Sequence, residues 1–516
     1  MGPLAILVCF SCPILVLGLL AFLNKTLRKP ILRQREFNAR GIRGPPYKFL
    51  FGNAREIQKM KTAAAAKPMS NLSHEIRTRL EPHLATWTEA YGKNFVFWMG
   101  PEPILVVTEP ELVKVVGNNA EKVYQKLEAE GYIKKLFGDG LVTSRGEKWA
   151  KMRKLVNHAF QGDSLKSMVP AMVASTEVML QRWEDHGGEE IEVFEEFSLF
   201  TAEVISRTAF GSSYFQGKLV FDGLAKLLQL ATKHALNIQI PGLSLTCSKV
   251  YKPKDEIEAE KLEQQIRDVI IAMVTKREEM VTNGDLDSCG SDFLGLLVKA
   301  RYEDDESKRI SVDNVVDECK TFYLAGHETC DILLTWAMLL LSIHTDWQEE
   351  ARKEVMTHFG NKTPDADGIM KLKTMTMIIN ETLRLYPPAF EMMRKVDKEV
   401  QLGKFRVPAN TNIIISYLSL HHDPKIWGED VHHFKPDRFS QGLAKATNNV
   451  QSVHIPFGMG ARICAGYNFA PILTKIALSM ILQRYAFTLS PAYVHSPIYA
   501  FTIRPQFGVQ VIFQAL

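Results

Sequence analysis

The chain has 516 residues, 46% of them hydrophobic, a composition typical of a globular protein with a large core. Its formal net charge of +4 is small for this length and gives no reason to expect a nucleic-acid partner. The 7 cysteines are odd in number and scattered, which argues against a disulfide framework and for a reducing compartment such as the cytosol.

The first element along the chain is an uncharged apolar stretch from Leu4 to Leu23. A helix of this length matches a bilayer hydrocarbon core of about 30 Å. The stretch is followed by a run rich in Lys and Arg and then by Gly44-Pro45-Pro46, which holds the backbone extended. We therefore expect a transmembrane anchor over residues 1–24, a basic and Pro-rich linker over 25–46 and a cytosolic body. A cleaved signal peptide is the alternative.

Residues 47–516 show no second boundary and are expected to form a single large domain, mainly α-helical with small β-sheets. Apolar spacing predicts helices through most of Gly146–Gln348, including a long charged helix over Lys252–Met280. An apolar loop, Asn237–Cys247, precedes that helix and is expected to contact either the core or a bilayer. Strand patterns are predicted in four places: Phe95–Trp98 and Ile104–Val107 as a hairpin, Arg394–Tyr417, and a C-terminal hairpin over Phe501–Phe513.

The most specific pattern is the loop Pro456–Gly466, which places one thiol, Cys464, two residues after Arg462. Glycines at 458, 460 and 466 allow backbone conformations and close approaches that a side chain would prevent. An apolar helical segment follows, and a helix N-terminus stabilises a nearby thiolate. The residues therefore suit a single sulfur presented to a large flat metal cofactor.

This loop resembles the haem-ligand loop of the cytochromes P450, whose pattern is Phe-x-x-Gly-x-Arg-x-Cys-x-Gly, and every fixed position is filled here. The resemblance implies the cytochrome P450 fold and haem b, with Cys464 as the iron ligand. It also implies that Phe457, Arg462 and Gly466 contact the cofactor.

Two further stretches resemble cofactor-binding positions of the same family. Trp149 and Arg153 are spaced to share one helical face, and haem propionates require such donors and cations at the haem rim. They match the Trp-x-x-x-Arg motif of the family. Arg394 matches a third propionate-binding arginine by its distance from Arg384.

The stretch Ala325-Gly326-His327-Glu328-Thr329 lies within a long apolar helical segment. It resembles the family's motif on its central helix, and the resemblance implies that Glu328 and Thr329 are catalytic and support proton delivery during oxygen activation. A threonine within a helix can bond the carbonyl one turn back, so an ordinary polar kink is the alternative. Cys330 stands where the family usually has Thr or Ser.

Glu381 and Arg384 have the i, i+3 spacing that places two charges on one helical face. With Arg438 they resemble the family's Glu-x-x-Arg motif and its Pro-x-Arg-Phe partner. The resemblance implies a buried charge network behind the haem loop, structural rather than catalytic.

The resemblance covers residues 40–516, and finer features resemble the 72 clan of plant enzymes. It implies a monooxygenase of the endoplasmic reticulum membrane that oxidises a hydrophobic terpenoid, hormone or xenobiotic, as in plant secondary metabolism. Its single-pass anchor would leave the catalytic domain facing the cytosol, against membrane lipid. The resemblance also implies that electrons come from NADPH through a separate reductase, and the lack of a flavin or nicotinamide motif in the chain fits that dependence. A haem-thiolate isomerase or dehydratase and a non-catalytic membrane scaffold are the alternatives.

Substrate contacts are expected in five regions, by the same resemblance, and their composition indicates only a hydrophobic ligand. These regions are Glu128–Lys135, Phe221–Ile240, Phe322–Gly326, Ala389–Met393 and Ser496–Thr502.

Overall fold

The computed structural model describes residues 13, 15–119, 122–185, 190–235, 252–283 and 289–516. Most of the predicted anchor and the whole apolar loop Asn237–Cys247 therefore lie outside the described residues. Residues 15–23 are helical, and Leu15 and Leu17 are 72% and 65% exposed. This exposed helix continues through a π-helical turn, Asn24–Arg28, into the first labelled helix of the body.

Helices dominate the described chain, as the sequence predicts. In chain order they are α1 Lys29–Ala39, α2 Ala54–Ala65, α3 Arg77–Leu80, α4 Pro82–Tyr91, α5 Pro110–Asn118, α6 Gly131–Phe137, α7 Gly146–Ala159, α8 Gly162–Asp185, α9 Val193–Phe210, α10 Tyr214–His234, α11 Lys254–Thr282, α12 Phe293–Arg301, α13 Val312–Ile343, α14 Thr345–Phe359, α15 Ala366–Ile369, α16 Lys373–Leu385, α17 Tyr417–His421, α18 Pro424–Trp427, α19 Leu443–Ala446 and α20 Phe469–Arg484. The long charged helix is α11.

Small sheets flank the helices. The strands are β1 Asn94–Met99, β2 Glu102–Val107, β3 Tyr124–Gln125, β4 Glu190–Glu192, β5 Glu391–Val396, β6 Val400–Leu402, β7 Phe405–Val407, β8 Thr411–Ser416, β9 Tyr485–Leu489, β10 Pro497–Ala500, β11 Thr502–Pro505 and β12 Gln510–Ala515. The largest sheet has the order β1-β2-β8-β5-β3, in which only β2 and β8 are parallel.

The predicted hairpin of β1 and β2 is confirmed, but the predicted C-terminal hairpin is wrong. Strand β11 pairs with β10, whereas β12 pairs with β4 and β9. Alternating residues indicate a strand and its buried face, but they do not identify its partner.

Helix α13 crosses the centre of the main hydrophobic core. It begins at a capping box in which Ser311 and Asn314 bond each other's backbone N–H groups. Among the described residues it is the one helix long and apolar enough to cross a membrane, yet 78% of its apolar window is buried inside the protein. Its apolar character therefore reflects its position in the core.

The predicted charge network is confirmed behind the core. Glu381 and Arg384 are both fully buried, and the Arg384 Nε and Nη2 atoms each donate to a Glu381 carboxylate oxygen at 2.7 Å. Arg438 donates from Nε to Glu381 at 3.3 Å. The remaining Arg384 nitrogen donates to the carbonyl oxygens of His421 and Val431. The network thus joins α16 to the segment that leads into the Cys464 loop.

Buried histidines surround this network. The His421 and His454 rings stack with centroids 5.3 Å apart, and His421 Nε2 accepts the backbone N–H of Ile455. Burial lowers the pKa of His454 to about 4, and it lowers the pKa values of His421 and His422 well below their ordinary value. The folded protein therefore holds these rings neutral.

We expect the free energy of unfolding to be highest above pH 6.5 and to fall as the pH drops from 6.5 towards 4. In that window the unfolded chain binds protons that the folded chain excludes. His454 alone accounts for about 3 kcal/mol of this loss. Urea unfolding at a series of pH values checks the slope, which should be smaller in His454→Gln. The exposed His358→Gln is the control, and equal slopes in all three proteins would contradict the expectation.

Candidate active site

A cavity of about 350 Å³ lies between α13, α7, strand β5 and the Pro456–Gly466 loop. Apolar side chains such as Leu141, Phe322 and Leu333 form much of its wall. All the predicted cofactor-binding residues line it: Trp149, Arg153, Arg394, Phe457, Arg462, Cys464 and Gly466. Residues separated by more than 300 positions are thus brought to one cavity.

The Cys464 loop is fixed by its backbone. The Cys464 N–H donates to the Phe457 carbonyl oxygen at 2.8 Å, which closes the loop beneath the thiol. Gly460 has φ +69°, and a Cβ there would lie 2.3 Å from the carbonyl oxygen of Gly117 on α5. Only glycine therefore lets the loop pack against that helix. A Cβ at Gly466 would lie 3.9 Å from the Cys464 Sγ, an ordinary van der Waals distance. The predicted need for glycine at position 466 to allow a close approach is therefore wrong.

The Cys464 thiol is exposed to the cavity, although the surrounding protein desolvates it. Burial raises its pKa, while the Gly466 N–H and the charge of Arg153 oppose that rise. Helix α20 begins at Phe469, after a turn, and not directly at the cysteine. The sequence analysis expected a helix N-terminus to stabilise the thiolate, but the helix begins too far along the chain. The Gly466 N–H supplies part of the expected thiolate stabilisation instead.

Two residues of α7 face the loop from one helical side, as their spacing predicts. Arg153 donates from Nη1 to the Ile463 carbonyl oxygen at 2.5 Å, next to the cysteine. The Arg462 guanidinium lies 4.4 Å from the Trp149 ring centroid, in cation–π geometry. The helix and the loop therefore hold each other in place.

Arg394 and Lys126 add positive charge to the cavity wall. Arg394 is 3% exposed on β5, and Lys126 follows β3, the strand paired with β5. Sequence reasoning missed Lys126 because it belongs to no motif, and only the pairing of β3 with β5 brings it to this wall. Tyr417 also lines the cavity and was missed, and burial raises its pKa to about 12.

The donor set in this cavity fits haem. The exposed Cys464 thiol would suit the iron as a ligand, and the four cations Lys126, Arg153, Arg394 and Arg462 suit two anionic propionates. Apolar walls suit the macrocycle. Elsewhere in the described part of the chain, no group of three His, Cys, Asp or Glu side chains is arranged to hold a metal ion.

Thr329 lines the cavity together with Ala325, Gly326 and Cys330 of α13. Its hydroxyl donates to the Ala325 carbonyl oxygen at 2.7 Å, the bond to the preceding turn that the sequence suggests. At Gly326 a Cβ would lie 2.5 Å from a methyl carbon of Ile205 on α9, so the two helices approach closely there. The Thr329 hydroxyl bond to the preceding turn therefore lies where α13 lines the cavity.

Glu328 is placed differently from Thr329. It is 7% exposed and does not belong to the described cavity wall. Its Oε1 atom accepts from Thr502 Oγ1 at 2.6 Å and from Arg504 Nε at 2.7 Å. One turn later, the buried Asp331 carboxyl accepts from Thr335, and burial raises its pKa well above the ordinary value. The sequence did not predict these partners of Glu328.

Two of the five expected substrate regions contribute to the described wall, Phe322–Gly326 and Ala389–Met393. The described residues of the other three do not line it, and residues 236–240 lie outside the described chain.

Comparison with known proteins agrees with this geometry. The family model "Cytochrome P450" matches residues 68–511. Cytochrome P450 CYP749A22 of Panax ginseng is 53% identical over 506 residues, covering 98% of this chain and 96% of the relative. Cytochrome P450 734A1 of Arabidopsis thaliana is 37% identical over 497 residues, 95% and 93% of the two chains.

Secologanin synthase 1 of Catharanthus roseus is 37% identical over 493 residues, covering 94% of this chain and 92% of the relative. Similar plant proteins include members named 72A, as the finer sequence features suggest. The mainly helical fold with small sheets, the haem-ligand loop and the family match agree, so the chain belongs to the cytochrome P450 family of haem-thiolate monooxygenases.

Proposed function

We propose that this protein is a membrane-anchored monooxygenase that inserts one oxygen atom from O2 into a hydrophobic terpenoid, hormone or xenobiotic. The observation that carries the proposal is the Cys464 thiol facing a largely apolar cavity ringed by cations. Haem, when bound, supplies the activation of dioxygen at the metal. The protein's part is to hold the cofactor, exclude water and direct a proton.

Each residue of the site has a proposed role. Cys464 would be the ligand of the haem iron, to which a thiolate supplies electron density. Trp149, Arg153, Arg394 and Arg462 would hold the propionates, and Phe457 and Gly466 would contact the macrocycle. Thr329 presents its hydroxyl to the cavity, and Glu328, set behind it, relays protons from the Arg504 side.

Electrons are proposed to come from NADPH through a separate reductase. Helix α7 contacts the Cys464 loop through Arg153 and also carries Lys148, Lys151 and the exposed Lys154. Lys148 pairs with Asp139 and Lys151 donates to the Arg309 carbonyl oxygen, so Lys154 is the exposed cation that would attract an acidic redox partner, because complementary charge speeds encounter.

The anchor is proposed to be a single pass through the endoplasmic reticulum membrane, with the body in the cytosol. The exposed leucines of residues 15–23 and the basic residues that follow support this topology. Removing residues 2–24 should move the protein from the membrane fraction to the soluble fraction.

The deciding experiment incubates microsomes containing the protein and a plant reductase with a panel of terpenoids and hormone precursors. Oxygen and NADPH consumption are measured beside product formation by mass spectrometry. A haem-thiolate isomerase or dehydratase would turn over without NADPH or O2, and that outcome would contradict the proposal. Absence of haem absorbance in the pure protein would favour a non-catalytic scaffold.

Thr329→Ala should uncouple NADPH consumption from product formation. We expect the yield of oxidised product per NADPH to fall about a hundredfold, in line with the loss of a positioned proton donor, while NADPH consumption continues. Thr329→Ser keeps a hydroxyl and should recover most of the yield. Thr335→Val, two turns away and bonded to Asp331, is the control on the same helix. Unchanged coupling in Thr329→Ala would remove Thr329 from the proton path.

A further inference from the structure

One ionisable residue of the cavity wall lies in the expected substrate region Ala389–Met393 but has no role of its own in the site described above. Glu391 is the single acid in the described wall, beside the cations Lys126, Arg153, Arg394 and Arg462. Because haem propionates are anionic, a carboxylate would repel them rather than hold them. Glu391 therefore needs an explanation other than cofactor binding.

Glu391 lines the cavity on the same strand as Arg394. It begins β5 and lies directly opposite Ser416 of β8. Since side chains alternate along a strand, Glu391 shares a face with Met393, whereas Arg394 points to the other face. Both residues line the cavity, so the acid and the arginine contribute to it from opposite faces of β5.

The Glu391 carboxylate has no hydrogen-bond or ion-pair partner among the described side chains. Burial raises its pKa, and Lys61 opposes this only through space. The charge of Glu391 in turn raises the pKa values of Tyr417, which lines the cavity, and of the buried Glu81 and Tyr499. The partly exposed Glu391 thus lines the cavity and lies near enough to the buried Glu81 for their charges to interact.

Glu81 provides an independent observation. It is 2% exposed, and its Oε2 atom accepts from Ser416 Oγ at 2.6 Å. Its Oε1 atom is buried and has no partner within the described chain, and burial raises its pKa to about 7. Glu81 thus bonds the cross-strand partner of Glu391 and keeps one unused acceptor. Because buried polar groups are nearly always satisfied, the free Glu81 oxygen and the unpartnered Glu391 carboxyl group leave hydrogen-bonding capacity for a ligand.

We propose that Glu391 determines specificity by hydrogen-bonding a hydroxyl group of an otherwise apolar substrate. This rests on the proposed monooxygenase function and narrows its substrate class to lipophilic alcohols. A carboxyl group can both donate to and accept from a hydroxyl. A hydrocarbon in the same place would leave the carboxyl buried without a partner, and sites built for hydrogen bonding discriminate strongly against such analogues.

The test uses probes that do not depend on knowing the substrate. 1-Alkylimidazoles from hexyl to dodecyl ligate haem iron and shift the Soret band, and a matched series ends in a hydroxyl instead of a methyl group. Affinities are measured for the full-length wild type, Glu391→Gln, Glu391→Leu and the same-face control Met393→Leu. At one chain length we expect the wild type to favour the hydroxyl probe over its partner by about tenfold.

Glu391→Gln and Met393→Leu should keep this preference within about threefold, whereas Glu391→Leu should lose it. Equal preferences in wild type and Glu391→Leu at every length would overturn the inference. Should the leucine variant fail to fold, the wild type alone decides, because no hydroxyl preference at any length also overturns it. A wild type whose Soret band no imidazole shifts would instead refute the haem-thiolate function.

Discussion

Replacing Cys464 with serine should abolish the red-shifted Soret band of the reduced, carbon monoxide-treated protein and reduce monooxygenase turnover to background. The shift requires a thiolate on the iron, and serine offers an alcohol that remains protonated at neutral pH. The measurement is the spectrum of the reduced protein with carbon monoxide minus that of the reduced protein without it, normalised to total haem.

Cys330→Ser is the matched control, because this second thiol lines the same cavity and is 2% exposed. It replaces the same atoms on α13 and should leave the red-shifted band in place. Survival of the band in Cys464→Ser, or its loss in Cys330→Ser alone, would show that the axial ligand is misassigned.

Replacing Arg384 with methionine should lower the free energy of unfolding by about 3–5 kcal/mol, because it leaves the buried Glu381 carboxylate without its main partner. Haem occupancy should fall as well, since the network joins α16 to the segment before the haem loop. Urea unfolding and the haem-to-protein absorbance ratio measure the two effects.

An exposed ion pair with the same i, i+3 spacing provides the control for burial. Lys353 and Glu350 form an i, i+3 ion pair whose side chains are 61% and 60% exposed. Lys353→Met should cost less than about 1 kcal/mol, because water solvates the remaining charge. Equal losses of unfolding free energy in the two variants would mean that burial does not determine how much the Glu381–Arg384 pair contributes to stability.

The parts of the site that the sequence predicts are those encoded locally. Cys464 and Arg462 lie two residues apart in a loop whose glycines restrict its shape, and Glu381 and Arg384 share a helical face by spacing alone. In such segments the chemistry and the geometry follow from neighbours in the chain. The structure brings these local units together as the resemblance implies.

The residues that the sequence missed depend on partners far away in the chain. Arg504 lies on β11, in a region predicted to pair with the wrong strand, so its contact with Glu328 had no local signal. Glu391 lies in a stretch that composition describes only as hydrophobic. The structure adds that Glu391 lies opposite Ser416 of β8 and that Ser416 bonds Glu81, the residue before α4.

The pairing of Glu328 with Thr502 and Arg504 has a practical consequence for handling the protein. Proteolytic loss of residues 502–516 would leave a central carboxylate without its two partners, although Cys464 and every residue proposed to hold the propionates would remain. Such nicked material could still absorb like the intact enzyme. Intact mass, rather than colour, is therefore the better measure of active material, and an affinity tag belongs after Leu516, which is 69% exposed.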